Sequence, residues 1–142
     1  MKKFAKVMSV ALVAVLALAV LVACGPATDP QKATDALNKN GYSVTYLDSG
    51  KTADKIVLKG VETVLGIASG DLVARVSASK VDGKNVQTIT IWYFNDASSA
   101  KKAWENNQDY FNSNKDEDSD WTSNRSGKII YAGTEQAIKD AR

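Results

Sequence analysis

Histidine is absent from the 142 residues, and cysteine occurs once, as Cys24. The missing imidazole removes Ser-His-Asp and Cys-His nucleophile activation, imidazole general bases and histidine-containing zinc sites. The single cysteine removes any intrachain disulfide. No internal repeat or heptad array is present. An enzyme would have to work with carboxylates, Lys, Tyr, Ser and Thr alone. A pair such as Glu62 and Glu105 is the obvious carboxylate choice, yet nothing in their sequence context marks either for a raised pKa. A non-enzymatic role is expected, with a carboxylate-based envelope hydrolase as the distant alternative.

What is present begins with a leader. Lys2, Lys3 and Lys6 precede a run from Val7 to Ala23 whose one polar residue is Ser9. A basic stretch followed by an apolar one is the pattern of a secretory signal. As a helix the run would reach about 26 Å, short of the roughly 30 Å hydrocarbon core of a bilayer. It ends in Leu21-Val22-Ala23-Cys24-Gly25. Leu21-Val22-Ala23-Cys24 resembles the lipobox of bacterial lipoproteins, and its place directly after the apolar run strengthens the match. That resemblance implies a diacylglycerol on the Cys24 thiol, cleavage before Cys24, and a cell-membrane, lipid-anchored protein on the extracytoplasmic side. It would also occupy the one thiol, leaving no cysteine chemistry.

Residues 1–23 are thus expected to be a removed signal peptide, 24–28 a lipidated tether, and 29–142 a single domain. Three of the eighteen basic residues leave with the leader, so fifteen remain against sixteen acids. The mature chain is near neutral, which argues against nucleic acid as a partner.

Asp29-Pro30 looks like an N-cap with proline at the first helical position, and Asn40-Gly41 like a left-handed helix stop. Tyr42, Val44 and Tyr46 alternate with polar residues as in a strand. Between 55 and 68 the pattern is mixed, and a short helix from Val61 to Ala68 is expected. Asp82-Gly83 suits a two-residue type I′ hairpin turn. If Val81 and Lys84 flank it, Leu72 faces Tyr93, Ala74 faces Ile91 and Val76 faces Ile89, which puts one apolar face on the core. Val73, Arg75, Ser77, Thr88, Thr90 and Trp92 then share the other face. Asn95-Asp96 can cap a helix carrying Ala97, Ala100, Ala103, Trp104, Tyr110 and Phe111. Residues 112–127 read as a polar loop, Lys128 to Ala132 as a strand, Gly133 as a turn, and Thr134 as the cap of a last helix. The expected fold is α+β, a two-layer sandwich of an antiparallel sheet of about four strands with helices on one face. From Leu72 onward, Trp92-Tyr93-Phe94, the alanine-rich helix and Tyr131-Ala132-Gly133-Thr134 loosely resemble small uncharacterised lipoproteins of Gram-positive-type bacteria. That resemblance carries no activity with it.

Two site candidates emerge. Asp116, Asp118 and Asp120 copy positions 1, 3 and 5 of a calcium loop, but Trp121 stands where glycine is needed and Gly127 where a bidentate glutamate belongs. An acidic surface loop is the expectation, with no metal or other cofactor beyond the diacylglycerol. Trp92, Arg75, Val73 and Thr90 form the second candidate, a sheet face able to recognise a partner. The competing outcome is that the 55–68 segment covers Trp92 and makes it part of a second small core. The functional expectation is a binding module at the cell surface, held to the membrane by its lipid. Its partner would be an envelope or surface protein or peptide, with a small-ligand or Ca²⁺-binding lipoprotein as the alternative.

Overall fold

The Asp29 carboxylate accepts the Lys32 N–H at 3.0 Å and starts helix α1, Pro30–Lys39, with proline at its first position. Gly41, at φ 84°, ends the turn that follows. The chain continues through β1 (Ser43–Asp48), α2 (Thr52–Leu65), β2 (Leu72–Asp82), β3 (Asn85–Phe94), α3 (Ala97–Asn106), α4 (Gln108–Phe111), β4 (Trp121–Ser126), β5 (Ile129–Thr134) and α5 (Glu135–Asp140). This computed structural model describes residues 25–112 and 120–142. The fold is α+β. An antiparallel sheet runs in the order β1-β2-β3-β5-β4.

The sheet has five strands, one more than the sequence suggests, and helices on both faces. On the first face, Val76, Ile89, Ile91, Tyr93 and Tyr131 pack with Leu37 of α1 and Ile138 of α5. On the second, Leu72, Trp92, Phe94 and Ile130 pack with Leu58 and Leu65 of α2, Ala100 and Ala103 of α3, and Phe111 of α4. The single-face expectation fails because α2 is longer than its apolar pattern indicates. It starts at Thr52, and Leu58, Glu62 and Leu65 are its buried residues, while Val64 is exposed and Ala68 lies beyond the helix. Glu62 remains buried because its carboxylate accepts the Leu72 N–H at 3.2 Å, which ties α2 to the start of β2.

The hairpin forms with a register two residues from the expected one. Asp82 pairs with Asn85, leaving Gly83 and Lys84 as the turn. Gly83 has φ 63° and, among the described residues, no non-glycine has positive φ, the sign pattern of a type II′ turn with glycine first. An even shift preserves the faces, so Val76 and Ile91 still point into the first core. The start of β2 does change sides. An extra residue between Leu72 and Ala74 moves Leu72 to the second core and Val73 to the first.

Other boundaries also shift. Asn107 breaks the α3–α4 segment, its amide donating to the carbonyls of Leu65 at 2.8 Å and Ala103 at 2.9 Å. Strand β4 lies within the stretch expected to be loop. Gly133 sits inside β5 and makes no turn. Thr134 precedes α5 without capping it, its hydroxyl donating instead to Gln87 Oε1 at 2.6 Å.

Two buried tyrosines predict the alkaline behaviour. Tyr42 donates to Asp140 Oδ2 at 2.7 Å and Tyr93 donates to the Ala27 carbonyl at 2.9 Å. Burial raises both pKa values, helped at Tyr42 by the bond to Asp140 and at Tyr93 by the charge of Asp29. The folded state holds these protons more tightly than the unfolded chain. Their contribution is therefore complete below the ordinary tyrosine value of 10.0 and is lost as pH rises above it. Urea midpoints measured at about pH 8 and about pH 11 should fall at the higher pH, and Tyr93→Phe should shrink the fall.

Candidate functional site

The second sheet face has two halves. One is roofed by α2, α3 and α4. The other is an open floor of small hydroxyl side chains. A cross-strand row marks the boundary: Leu47 of β1 pairs with Arg75 of β2, Arg75 with Trp92 of β3, Trp92 with Ile130 of β5, and Ile130 with Arg125 of β4. The next row on the same face reads Thr45, Ser77, Thr90, Ala132 and Ser123 by the same pairings. Beyond it lie Ser43, Ser79 and Thr88.

The roofed half explains Trp92. Its ring is 5% exposed and meets Phe111 edge-on at 5.0 Å between centroids, with Tyr110 at 6.1 Å. Trp104 stacks on Phe111 at 5.7 Å. Trp92 is thus a core residue of the second face, the outcome weighed against an exposed binding surface, and it leaves the candidate group. Helix α2 brings Leu58 and Leu65 over that face, and α3 and α4 complete the cover. Val73 leaves the candidate group as well, because the extra residue at the start of β2 turns it to the opposite side.

Arg75 and Thr90 stay on the face where the sequence places them. Arg75 lies directly across from Trp92 and is half-buried. Among the described residues, Lys80 over Tyr42 is the one cation over an aromatic ring, so Arg75 does not stack on Trp92. Its Nε, the Nε of Arg125 and the Nε1 of Trp92 are buried without hydrogen-bond partners. The arginine stems are covered while each side chain stays partly open. Among the described residues, neither guanidinium has a carboxylate within salt-bridge distance.

The floor is a shallow recess of about 310 Å³ lined by Ser43, Thr45, Ser77, Ser79, Thr88 and Thr90 together with Val44, Ala78 and Ile89. Ser77 donates to Thr90 Oγ1 at 3.5 Å and Thr88 donates to the Ala78 carbonyl at 3.2 Å. Hydroxyls can donate and accept, whereas guanidinium groups only donate. The chemistry offered is cationic at the boundary and hydroxylic on the floor. Arg125 and Ser123 escaped sequence reasoning. The available signal was the alternation of Trp121, Ser123 and Arg125 with fully polar residues, which places all three half-buried on one face of β4.

The other candidates separate. Asp116, Asp118 and Cys24 lie outside the described residues, and Asp120 is exposed. Among the described residues, no group of three or more acidic, histidine or cysteine side chains could hold a metal. Glu105 is exposed and pairs with Lys101 at 3.9 Å, while Glu62 holds the β2 backbone. No described helix is long and apolar enough to cross a membrane. No family model matches the chain, and no curated protein or solved structure is significantly similar to it.

Proposed function

We propose that the chain is a membrane-anchored extracytoplasmic lipoprotein, lipidated at Cys24, whose domain is a non-enzymatic binding module for an acidic envelope component. The observation that carries the binding reading is the pair of guanidinium groups, Arg75 and Arg125, on one sheet face without carboxylate partners among the described residues. The hydroxyl floor beside them adds donors and acceptors able to follow a polar ligand along the strands. Lipid anchoring rests on the leader and on Leu21-Val22-Ala23-Cys24.

The test uses the full lipidated chain in detergent micelles with poly-L-glutamate as probe and uncharged dextran as control. A charge-assisted hydrogen bond contributes about 1.5–3 kcal/mol, so Arg75→Ser with Arg125→Ser should weaken poly-L-glutamate binding by roughly tenfold or more. Binding should also weaken with added salt. Equal affinity for both polymers, or no effect of the double substitution, would sink the reading.

A second reading has its own support. A recess of about 480 Å³ lies against Val73, Tyr93, Phe94 and Ile129, with Thr28 and Pro30 forming part of its wall. Its volume falls within the range of small-molecule sites and favours the small-ligand alternative.

A further inference from the structure

The segment expected to be a lipidated tether packs on the domain at Gly25, Pro26 and Ala27. Pro26 is buried. The Ala27 N–H donates to the Ala141 carbonyl at 2.8 Å, and the Tyr93 hydroxyl donates to the Ala27 carbonyl at 2.9 Å. Gly25 lies close enough to Tyr131 that an added Cβ would meet the ring at 3.4 Å. Tyr93 and Tyr131 both belong to the first sheet face. The hydroxyl floor lies on the second.

We infer that a lipid on Cys24 holds the domain directly against the bilayer, with the surface around Gly25, Tyr131 and the end of α5 facing the headgroups and the hydroxyl floor facing away. The inference rests on the proposed reading of Cys24 as the lipid-bearing residue. Consecutive Cα atoms are about 3.8 Å apart, so the attachment point is one such step from a residue packed on the domain. A free tether over 24–28 could have spanned about 17 Å and left orientation open. The surface beside Gly25 suits this contact. Tyr131 borders a shallow recess lined also by Thr122, Glu135, Ile138, Lys139 and Arg142, and beside the exposed Glu135 carboxylate the exposed Lys139 ammonium can reach the phosphates of headgroups. The same geometry presents Ser77, Ser79, Thr88 and Thr90 to whatever lies beyond the membrane surface.

Reconstitution of the full lipidated chain in phosphatidylcholine–phosphatidylglycerol vesicles tests this. Thr122→Cys, Lys139→Cys and Ser79→Cys, at exposed positions, each take a thiol-reactive fluorophore because the lipid occupies the native sulfur. Nitroxide-headgroup lipids should quench the labels at 122 and 139 several-fold more than the label at 79. A Gly/Ser insertion of about six residues between Cys24 and Gly25 should erase the difference. Mass spectrometry of the N-terminal peptide accompanies each measurement. Equal quenching at all three positions with diacylglycerol present on Cys24 overturns the orientation and leaves the lipid reading standing. An unmodified Cys24 in a protein that stays out of the vesicle fraction overturns both.

Discussion

Replacing Trp92 by alanine should lower the stability of the fold by about 3–5 kcal/mol, the range for truncating a large buried aromatic side chain. The ring is 5% exposed, so almost all of its apolar area is withdrawn from water. It also contributes an edge-on contact with Phe111 at 5.0 Å, a geometry that adds to simple burial. Truncation would leave Phe111 facing a void that the flanking sheet can fill only in part. Trp92→Phe should cost much less. It keeps an aromatic ring and removes the indole N–H, which has no hydrogen-bond partner and therefore already costs the native state. Urea unfolding followed by far-UV circular dichroism measures both variants without relying on tryptophan emission. A change within about 0.5 kcal/mol for Trp92→Ala would mean that the face is open and that α2, α3 and α4 do not cover it.

That result bears on why the partner surface is misplaced in the sequence. Periodicity states which residues share a face of a strand, and it does so correctly for Arg75, Ser77, Thr90 and Trp92. It does not state what lies on top of that face. Over Trp92 itself the cover is Phe111 and Tyr110 of α4, and α2 roofs the neighbouring part, with Ile56, Val57 and Val64 exposed although apolar, while Leu58 and the acidic Glu62 are buried. The apolar residues of 55–68 therefore divide, Val61 and Leu65 packing inward while Ile56, Val57 and Val64 stay exposed. Burial of Glu62 depends on a backbone N–H ten residues later, at Leu72, and no local pattern encodes that.

The hairpin shows which details were legible. Asp82-Gly83 and its flanking alternation identify two long antiparallel strands. Moving the turn onto Gly83-Lys84 changes every pair by two residues and changes no face, so the apolar core survives the difference. The bulge at Val73 is another matter, since one added residue exchanges the sides of Leu72 and Val73. Strand β4 is hidden for a related reason. Trp121-Thr122-Ser123-Asn124-Arg125-Ser126 is a polar edge strand specified by pairing with β5, and edge strands need little apolarity of their own. Its Arg125 is half of the proposed cationic pair, so the site was only partly visible. The Asp29 and Asp96 caps, by contrast, are wholly local, accepting the N–H groups of Lys32 at 3.0 Å and Ser99 at 2.7 Å, and both could be read directly.

Gly133→Ala should destabilise the protein by about 3 kcal/mol, at the upper end of what overpacking usually costs. The ordinary expectation has the opposite sign. Gly133 lies in β5 without a positive φ, and alanine at such a position commonly gains about 0.4–1 kcal/mol by restricting the unfolded chain. Space reverses that sign. A Cβ at 133 would meet the Thr88 carbonyl oxygen in hard contact, with Ile89 Cα at 2.8 Å and Ile89 Cβ at 3.0 Å. Two of these three obstacles are backbone atoms of β3, so no rotamer change relieves them. The strands would have to separate where Ile89 pairs with Gly133 and where Thr134 Oγ1 receives the Thr88 N–H at 3.4 Å. A glycine inside a strand marks this kind of close backbone approach. The loss should appear as a lower urea midpoint with an unchanged slope, since the fold itself is retained. Gly133→Val should be worse, because its branched side chain keeps the same obstructed Cβ. A midpoint equal to or above the parent's for Gly133→Ala would show that β3 and β5 are farther apart at this point than the structure places them.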